Sequence, residues 1–293
     1  MSSEIKLNTD FGYYEVTPKP SEEELRSYYE EKYYQEENAT YRSSYSAEEL
    51  QYFRNKIAQK DHVIESILKK ESASLLDVGC GEGFTMDYYF KKGWQVKGID
   101  FSDFGLSSNH PHLADHLIQG NVFDSLNQLE QAGNKYDLIW LDNVLEHVID
   151  PQSLLKSCLN LTNDGGMLVI EVPNDFSKLQ KALKESGKIE RDYWVALPDH
   201  LSYFSKDSLI NLCKSVNWNA HKVISDFPIE WFLANEVANY SKNKEVGKYA
   251  HQSRIFIENF LNDNSGDMND LIDFYDAMGK IGQGRQLIGF FTK

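Results

Sequence analysis

Leu75-Leu76-Asp77-Val78-Gly79-Cys80-Gly81-Glu82-Gly83 decides how this chain is read. Leu75, Leu76 and Val78 suit a buried strand, and the three glycines that follow permit a tight turn and close approach of a ligand to the main chain. A helix is expected from Glu82. The next strand, Trp94-Gln95-Val96-Lys97-Gly98-Ile99-Asp100, ends in a carboxylate. Strand, glycine turn, helix and acid-tipped strand together make half of a nucleoside-binding unit.

The same alternation runs from 74 to 172. Strands are expected at 74–79, 95–100, 117–120, 136–141 and 166–172, with Gly165-Gly166 turning into the fifth. Helices are expected at 83–92, 104–109, 123–132 and 151–162. This pattern predicts an α/β fold, a parallel sheet with helices on both faces. A helix at 205–216, a strand at 219–226 and a last strand at 285–293 extend it. The mostly helical stretch 227–283 reads as an insertion before that last strand.

Residues 1–60 hold nine of the 17 tyrosines, among them Tyr13, Tyr14, Tyr29, Tyr33, Tyr34, Tyr41 and Tyr52. Ser21 with Glu24, and Ser46 with Glu49, have capping-box spacing and predict helices at 22–31 and 47–70. The layout is then a helical extension (1–60), a core (61–226 plus 284–293) and the insertion (227–283). The extension is either a surface element whose aromatics pack on the core or a lid over a ligand pocket.

With 41% hydrophobic and 26% charged residues, the composition is that of a globular protein. The formal net charge of -15 opposes docking to a polyanion, so no nucleic-acid partner is expected. Cys80, Cys158 and Cys213 are far apart and form no CxxC pair, which argues against zinc ribbons and disulfide frameworks and for a reducing cytoplasm. No leader-like apolar segment opens the chain, and no apolar run approaches the roughly 20 residues of a membrane span.

A dinucleotide-binding turn needs a third glycine where this chain has Phe84, and Glu82 would repel a pyrophosphate at the helix start. A nucleoside without phosphates fits better. At this point the chain resembles the class I S-adenosylmethionine-dependent methyltransferases. LLDVGCGEG at 75–83 with GID at 98–100 resembles their first motif and acidic second strand, and Tyr136–Asp142 their fourth strand. Asn143-Val144-Leu145-Glu146-His147-Val148 with Asp150-Pro151 resembles an LEHV-x-DP segment. Leu161–Ile170 with Pro173-Asn174 resembles the fifth-strand motif. Asp199-His200-Leu201-Ser202-Tyr203-Phe204 resembles the HL-x-YF segment of the branch holding ubiquinone-type and sugar methyltransferases. These pieces come in order over about 70–220.

The resemblance implies a Rossmann-like seven-stranded sheet, S-adenosylmethionine as methyl donor and S-adenosylhomocysteine as product. It implies that Asp77 holds the donor's amino group, that Gly79, Cys80 and Gly81 cradle its methionine part, and that Asp100 accepts from both ribose hydroxyls. Phe101 would pack on adenine, and Asn121, beside Val122, would accept from the adenine amino group where many relatives have Asp. Leu141 and Asp142 would flank the donor. Cys80 itself is read as a small packing residue.

Methyl transfer from a sulfonium is an in-line displacement, so the protein positions the acceptor and removes a proton. Glu146 and His147 fall near the expected sulfonium, either in that chemistry or bracing the following helix. Some relatives hold a divalent metal with E-x-x-E-H; here Asn143 replaces the first carboxylate, and no metal is expected. His200 is the preferred base, an imidazole titrating near neutrality, with a loop-bracing role as the alternative. Tyr193, Trp194 and Tyr203 are candidate pocket walls. Arg254, spaced with Lys248 and His251, and Arg285, after a glycine-rich turn, either face solvent or bind an anionic acceptor.

The expected function is methylation of a small-molecule acceptor, a hydroxyl of a sugar or of a nucleotide- or phosphate-linked glycan intermediate in bacterial carbohydrate biosynthesis. The absence of cysteine from 1–60 argues against the zinc-bearing sugar C-methyltransferases. O- or N-methylation of a quinone, aromatic or other metabolite is the alternative, and a non-catalytic nucleoside-binding protein the alternative from another class.

Overall fold

The computed structural model describes residues 4–35, 42 and 44–293. Its chain opens with strands β1 (Glu4–Leu7) and β2 (Tyr14–Thr17), then helices α1 (Glu22–Gln35) and α2 (Ala47–Leu68). The alternating region follows as β3 (Ser74–Val78), α3 (Phe84–Lys91), β4 (Gln95–Asp100), α4 (Phe104–Asn109), β5 (Leu117–Gln119), α5 (Val122–Gln131), β6 (Tyr136–Asp142), α6 (Pro151–Leu161) and β7 (Thr162–Pro173). Then come α7 (Lys178–Glu185), β8 (Ser202–Tyr203), α8 (Lys206–Ser215), β9 (Asn219–Ser225), α9 (Gly247–Asn264), α10 (Met268–Lys280) and β10 (Gln286–Thr292).

Seven strands form one Rossmann-like sheet in the order β5-β4-β3-β6-β7-β10-β9. β3 to β7 pair in parallel, and β10 enters between β7 and β9, antiparallel to both. Successive strand residues point to opposite faces. Leu76, Ile139, Leu141, Leu168 and Ile170 enter one core with Leu154 and Leu155 of α6 and Leu209 of α8. Leu75, Leu138, Trp140 and Val169 enter the other with Ile64 of α2, Tyr89 of α3 and Tyr275 of α10. Burial on both faces is why these strands read as near-continuous apolar runs. β7 starts before Gly165-Gly166, so the glycine pair lies within the strand and not ahead of it.

Both capping boxes form: Ser21 with Glu24 at α1, and Ser46 with Glu49 at α2. Residues 1–60 are nevertheless not wholly helical. β1, β2 and β8 make a three-stranded antiparallel sheet in which Tyr14 and Glu15 pair with Tyr203 and Ser202. Strands of two to four residues carry too little alternation to be read in advance. The expected boundary at 60 falls inside α2, whose Ile57, Val63, Ile64 and Leu68 belong to the sheet's core. Tyr13 packs on Phe204 with ring centroids 5.1 Å apart, and Tyr14 stacks on Phe176 at 4.1 Å. Tyr41, and the side chains of Tyr29, Tyr33 and Tyr34, lie outside the described residues. Among the described residues no helix is long and apolar enough to cross a membrane.

Asp137 ties the sheet together below the site. Its Oδ1 accepts from Lys70 (2.6 Å) and Asn163 (2.9 Å), and its Oδ2 from the Ser74 amide (2.9 Å) and hydroxyl (3.0 Å). Burial opposes ionisation, but these donors outweigh it and hold the carboxyl down at about 2. A folded value below the unfolded one, about 3.9, stabilises the fold at neutral pH, and that contribution is lost as pH falls through about 4 to 2. D137N is therefore expected to cost about 2 kcal/mol at pH 7 and almost nothing near pH 2. Urea titrations at the two pH values check this; an equal loss at both would show that the charge is irrelevant.

Candidate active site

After Val78 the chain reverses through Gly79, Gly81 and Gly83, at φ +75°, +52° and +80°. At Gly79 space is as limiting as φ, since a Cβ would lie 2.5 Å from Val144 Cγ2. The left-handed Gly83 is the N-cap of α3, which starts at Phe84 and not at Glu82. The amides of Gly79 and Cys80 donate to the Ile99 carbonyl at 2.7 and 3.1 Å, and that of Gly81 to Asp100 Oδ2 at 2.8 Å. Asp100 Oδ1 accepts from the Ser102 amide at 3.0 Å. Each carboxylate oxygen has a second lone pair, so Asp100 can still accept from a vicinal diol.

Asp77 is buried, and burial together with the charges of Asp142 and Asp100 pushes its carboxyl well up. An ammonium group placed beside it would favour the ionised form again. The cramped Gly79 turn, the diol-ready Asp100 and the cation-seeking Asp77 thus fit S-adenosylmethionine.

Other donor-side expectations need correction. Asn121 N-caps α5, its Oδ1 accepting from the Phe123 and Asp124 amides at 2.9 and 3.3 Å, so that oxygen is committed to the cap and not to adenine. Leu141 is fully buried in the core and Val122 packs against it; neither lines the cavity described next, and Gly81 and Asp100 stand behind its lining as well. Phe101 follows Asp100 and is half-buried.

A cavity of about 410 Å³ opens at the carboxyl ends of the parallel strands, the usual ligand crevice of an open α/β sheet. Its floor takes one polar side chain from each successive strand: Asp77 of β3, Asp142 of β6, Glu171 of β7, Gln286 of β10 and Asp226 just after β9. At about 4.8 Å per strand the row is some 19 Å long, room for a donor and an acceptor side by side. The glycine turn, with Cys80, Phe84 and Thr85, closes one end. α2 supplies a wall of Tyr52, Phe53, Lys56, Ile57 and Lys60, and α9 contributes Arg254.

Charges in the cavity are mostly paired. Lys60 Nζ bridges Asp142 Oδ2 (3.0 Å) and Glu171 Oε2, and sits over the Trp140 ring. Lys56 pairs with Glu258 at 3.4 Å. Arg254 lies over the Tyr52 ring, 5.4 Å from its centroid, and its Nη2 meets His251 Nδ1 at 2.9 Å. Burial and the charge of Arg254 push the His251 imidazole down.

Glu146, His147 and His200 come together, but none lines this cavity. Their ligand atoms lie within 4.8 Å of one another, and the two imidazole rings meet edge-on. His147 Nδ1 lies 2.9 Å from the Asp199 carbonyl and its Nε2 3.7 Å from Glu146 Oε1. Burial pushes the Glu146 carboxyl well up. Three such groups could hold a cation. The fourth position, Asn143, turns elsewhere: its amide donates to Asp142 Oδ1 at 2.7 Å and its oxygen accepts from Gln286 at 3.2 Å.

The expected acceptor walls are interior to a neighbouring lobe. Trp194 packs with Leu183, Ile189 and Leu233. Tyr193 donates to Glu230 at 2.8 Å, and Tyr203, buried against β2, donates to the His200 carbonyl at 3.0 Å. Arg285 is no anion receptor, because its Nη1 already holds Asp175 at 2.7 Å with Glu230 at 3.7 Å. Lys248 does not reach the cavity either.

Sequence reasoning missed Tyr52, Lys56, Lys60, Glu171, Asp226 and Gln286. For two of them a signal was present. Glu171 interrupts the apolar run Met167–Val172 and Asp226 follows β9, just as Asp100 and Asp142 tip their strands.

Comparison with known proteins agrees with this geometry. The Methyltransf_23 family model, described as a methyltransferase domain, matches residues 42–223. Over 119 residues the chain is 33% identical to the ubiquinone biosynthesis O-methyltransferase of Nitrosomonas europaea, which covers 39% of this chain and 48% of that protein. It is 32% identical over 113 residues to the protein of the same name from Coxiella burnetii, covering 38% and 48%. The chain thus spans about half the length of the curated relatives it matches. A solved SAM-dependent methyltransferase from Archaeoglobus fulgidus shares the fold, with a TM-score of 0.50 and 14% identity over 82% of this chain and 96% of that one. With more than half its length matched, the chain belongs to the methyltransferase-domain family, within the class I S-adenosylmethionine-dependent methyltransferases.

Proposed function

We propose that this chain transfers the methyl group of S-adenosylmethionine to a hydroxyl of a sugar or sugar-linked intermediate held between α2 and α9. The donor would sit across the glycine turn, with Asp77 on its amino group and Asp100 on its ribose. The carrying observation is the mixture of unsatisfied donors and acceptors at the far end of the cavity. Arg254 Nε and Gln286 Oε1 are buried with no hydrogen-bond partner among the described residues, and Asp226 opens onto the same space. A hydroxyl donates and accepts at once, so neighbouring hydroxyls satisfy this set, whereas an apolar ring would leave each atom unpaired at about 1–3 kcal/mol. Phe53, half-buried on the same wall, offers an apolar face to a sugar ring. Arg254, with no carboxylate within 4.0 Å among the described residues, also suits a phosphate on that sugar.

A phenolic acceptor is the second reading, favoured by the names of the ubiquinone biosynthesis relatives. The test incubates the protein with S-adenosylmethionine and a panel of free sugars, sugar phosphates, sugar nucleotides and catechols, and measures S-adenosylhomocysteine release. Turnover with the sugar series alone is expected. Turnover confined to catechols would install the second reading, and no calorimetric binding of S-adenosylmethionine would overturn both.

A further inference from the structure

We propose that Glu171 takes the proton of the acceptor hydroxyl and that Lys60 positions it to do so. The assignment rests on the hydroxyl-methylating reading of the cavity and follows from the order of the strands. The glycine turn fixes the donor's methionine part over β3. An attacking oxygen comes within about 3–3.5 Å of the methyl carbon, on the side away from sulfur. A base must therefore stand one or two strands along, toward β7. Glu171 is two strands from Asp77, about 10 Å, whereas Asp226 is four strands away, about 19 Å.

Within reach are two carboxylates, and their engagement separates them. Asp142 has one donor on each oxygen, Asn143 on Oδ1 (2.7 Å) and Lys60 on Oδ2 (3.0 Å), and so keeps a single lone pair on each, whereas Glu171 keeps one oxygen with no donor among the described residues. Glu171 Oε2 is buried in an ion pair with the same lysine, and among the described residues it has no other partner and no hydrogen bond reaches Oε1 of this cavity-lining residue. One oxygen clamped and one on the cavity is the arrangement a base requires. Facing Glu171 are Lys60, Lys56 and Tyr52 of α2, Asp142 of β6 and Arg254 of α9. Burial and Asp142 push its carboxyl up while Lys60 and Lys56 pull it down, which leaves a stronger base than a solvated carboxylate.

In the step, Glu171 Oε1 receives the proton as the hydroxyl oxygen bonds to the methyl carbon. The carbon–sulfur electron pair stays with sulfur, so the sulfonium becomes a neutral thioether and the carboxylate a carboxylic acid. The proton passes to solvent when the products leave.

Two measurements test this. Sinefungin carries an amine where the donor carries its methyl group. By calorimetry, E171Q should lower sinefungin affinity about tenfold or more while S-adenosylhomocysteine stays within about threefold. With an acceptor from the panel, E171Q should lower kcat by about 10²–10⁴ and abolish the acid limb of its pH profile. E171D should restore part of the rate, K60M should move the limb to higher pH, and H200N should keep it. An unchanged sinefungin preference in E171Q overturns the proposal whether or not an acceptor is known. A limb lost in H200N and kept in E171Q overturns it in favour of His200. The expected sinefungin loss without methylation of any hydroxyl compound would sink the hydroxyl reading and leave Glu171 beside the methyl group.

Discussion

Replacing Arg285 with methionine is expected to cost about 3–5 kcal/mol of folding stability. Its guanidinium holds Asp175 at 2.7 Å and stands 3.7 Å from Glu230, and both carboxylates are almost fully buried. Glu230 also accepts from Gln180 and Tyr193, each at 2.8 Å. Burial pushes both carboxyls up, and Arg285 pulls them back toward the ionised form. Without the cation, two buried charges lose their counterion, which is why breaking such a pair costs more than the pair contributes. The sign with pH follows. A buried carboxyl with a raised value destabilises when ionised, so the defect of R285M should be largest near pH 8 and shrink toward pH 5. Urea midpoints at the two pH values check this, and adding D175N should recover part of the loss. A variant as stable as the wild type would mean that Arg285 is free for a ligand after all.

The D100A variant is expected to bind S-adenosylhomocysteine about 10²–10⁴ times more weakly. Asp100 joins the Gly81 amide, at 2.8 Å, to the tip of β4, so its loss loosens the turn as it removes the acceptor for the ribose. Two hydrogen bonds to a charged group, at about 1.5–3 kcal/mol each, set the size of the effect. D100N keeps one acceptor oxygen and should fall between. Calorimetry on variants with unchanged circular dichroism gives the answer; affinity within threefold of the wild type would remove Asp100 from the donor site.

The glycine-turn end of the cavity was legible because its residues are local in sequence. Nine residues, 75–83, contain the strand, the turn and the buried acid, and Asp100 lies one helix further on. The opposite end of the cavity is not local. Lys60 reaches Glu171 from α2, and Asp226 and Gln286 join them because the last strand inserts between β7 and β9, a pairing that no periodicity announces. Trp194 and Tyr203 misled for a related reason. An aromatic segment looks the same whether it walls a pocket or fills a small core, and here Leu183, Ile189 and Leu233 surround Trp194. His200 was read from a motif, but β8 pairs with β2 and fastens that segment to a second sheet, and His200 does not line the cavity.

The neighbouring placement of β9 and β10 has a practical side. The chain leaves the sheet at Ser225, runs through α9 and α10, and re-enters at Gln286, whose amide donates to Asp226 at 2.7 Å. Both ends of a sixty-residue excursion are therefore stitched together at its base, and none of the donor-side groups lies within it. The excursion is a cassette. Exchanging it between homologues at the Asp226–Gln286 stitch would replace Arg254 and the α9 side of the cavity and leave the glycine turn, Asp77 and the α2 wall unedited.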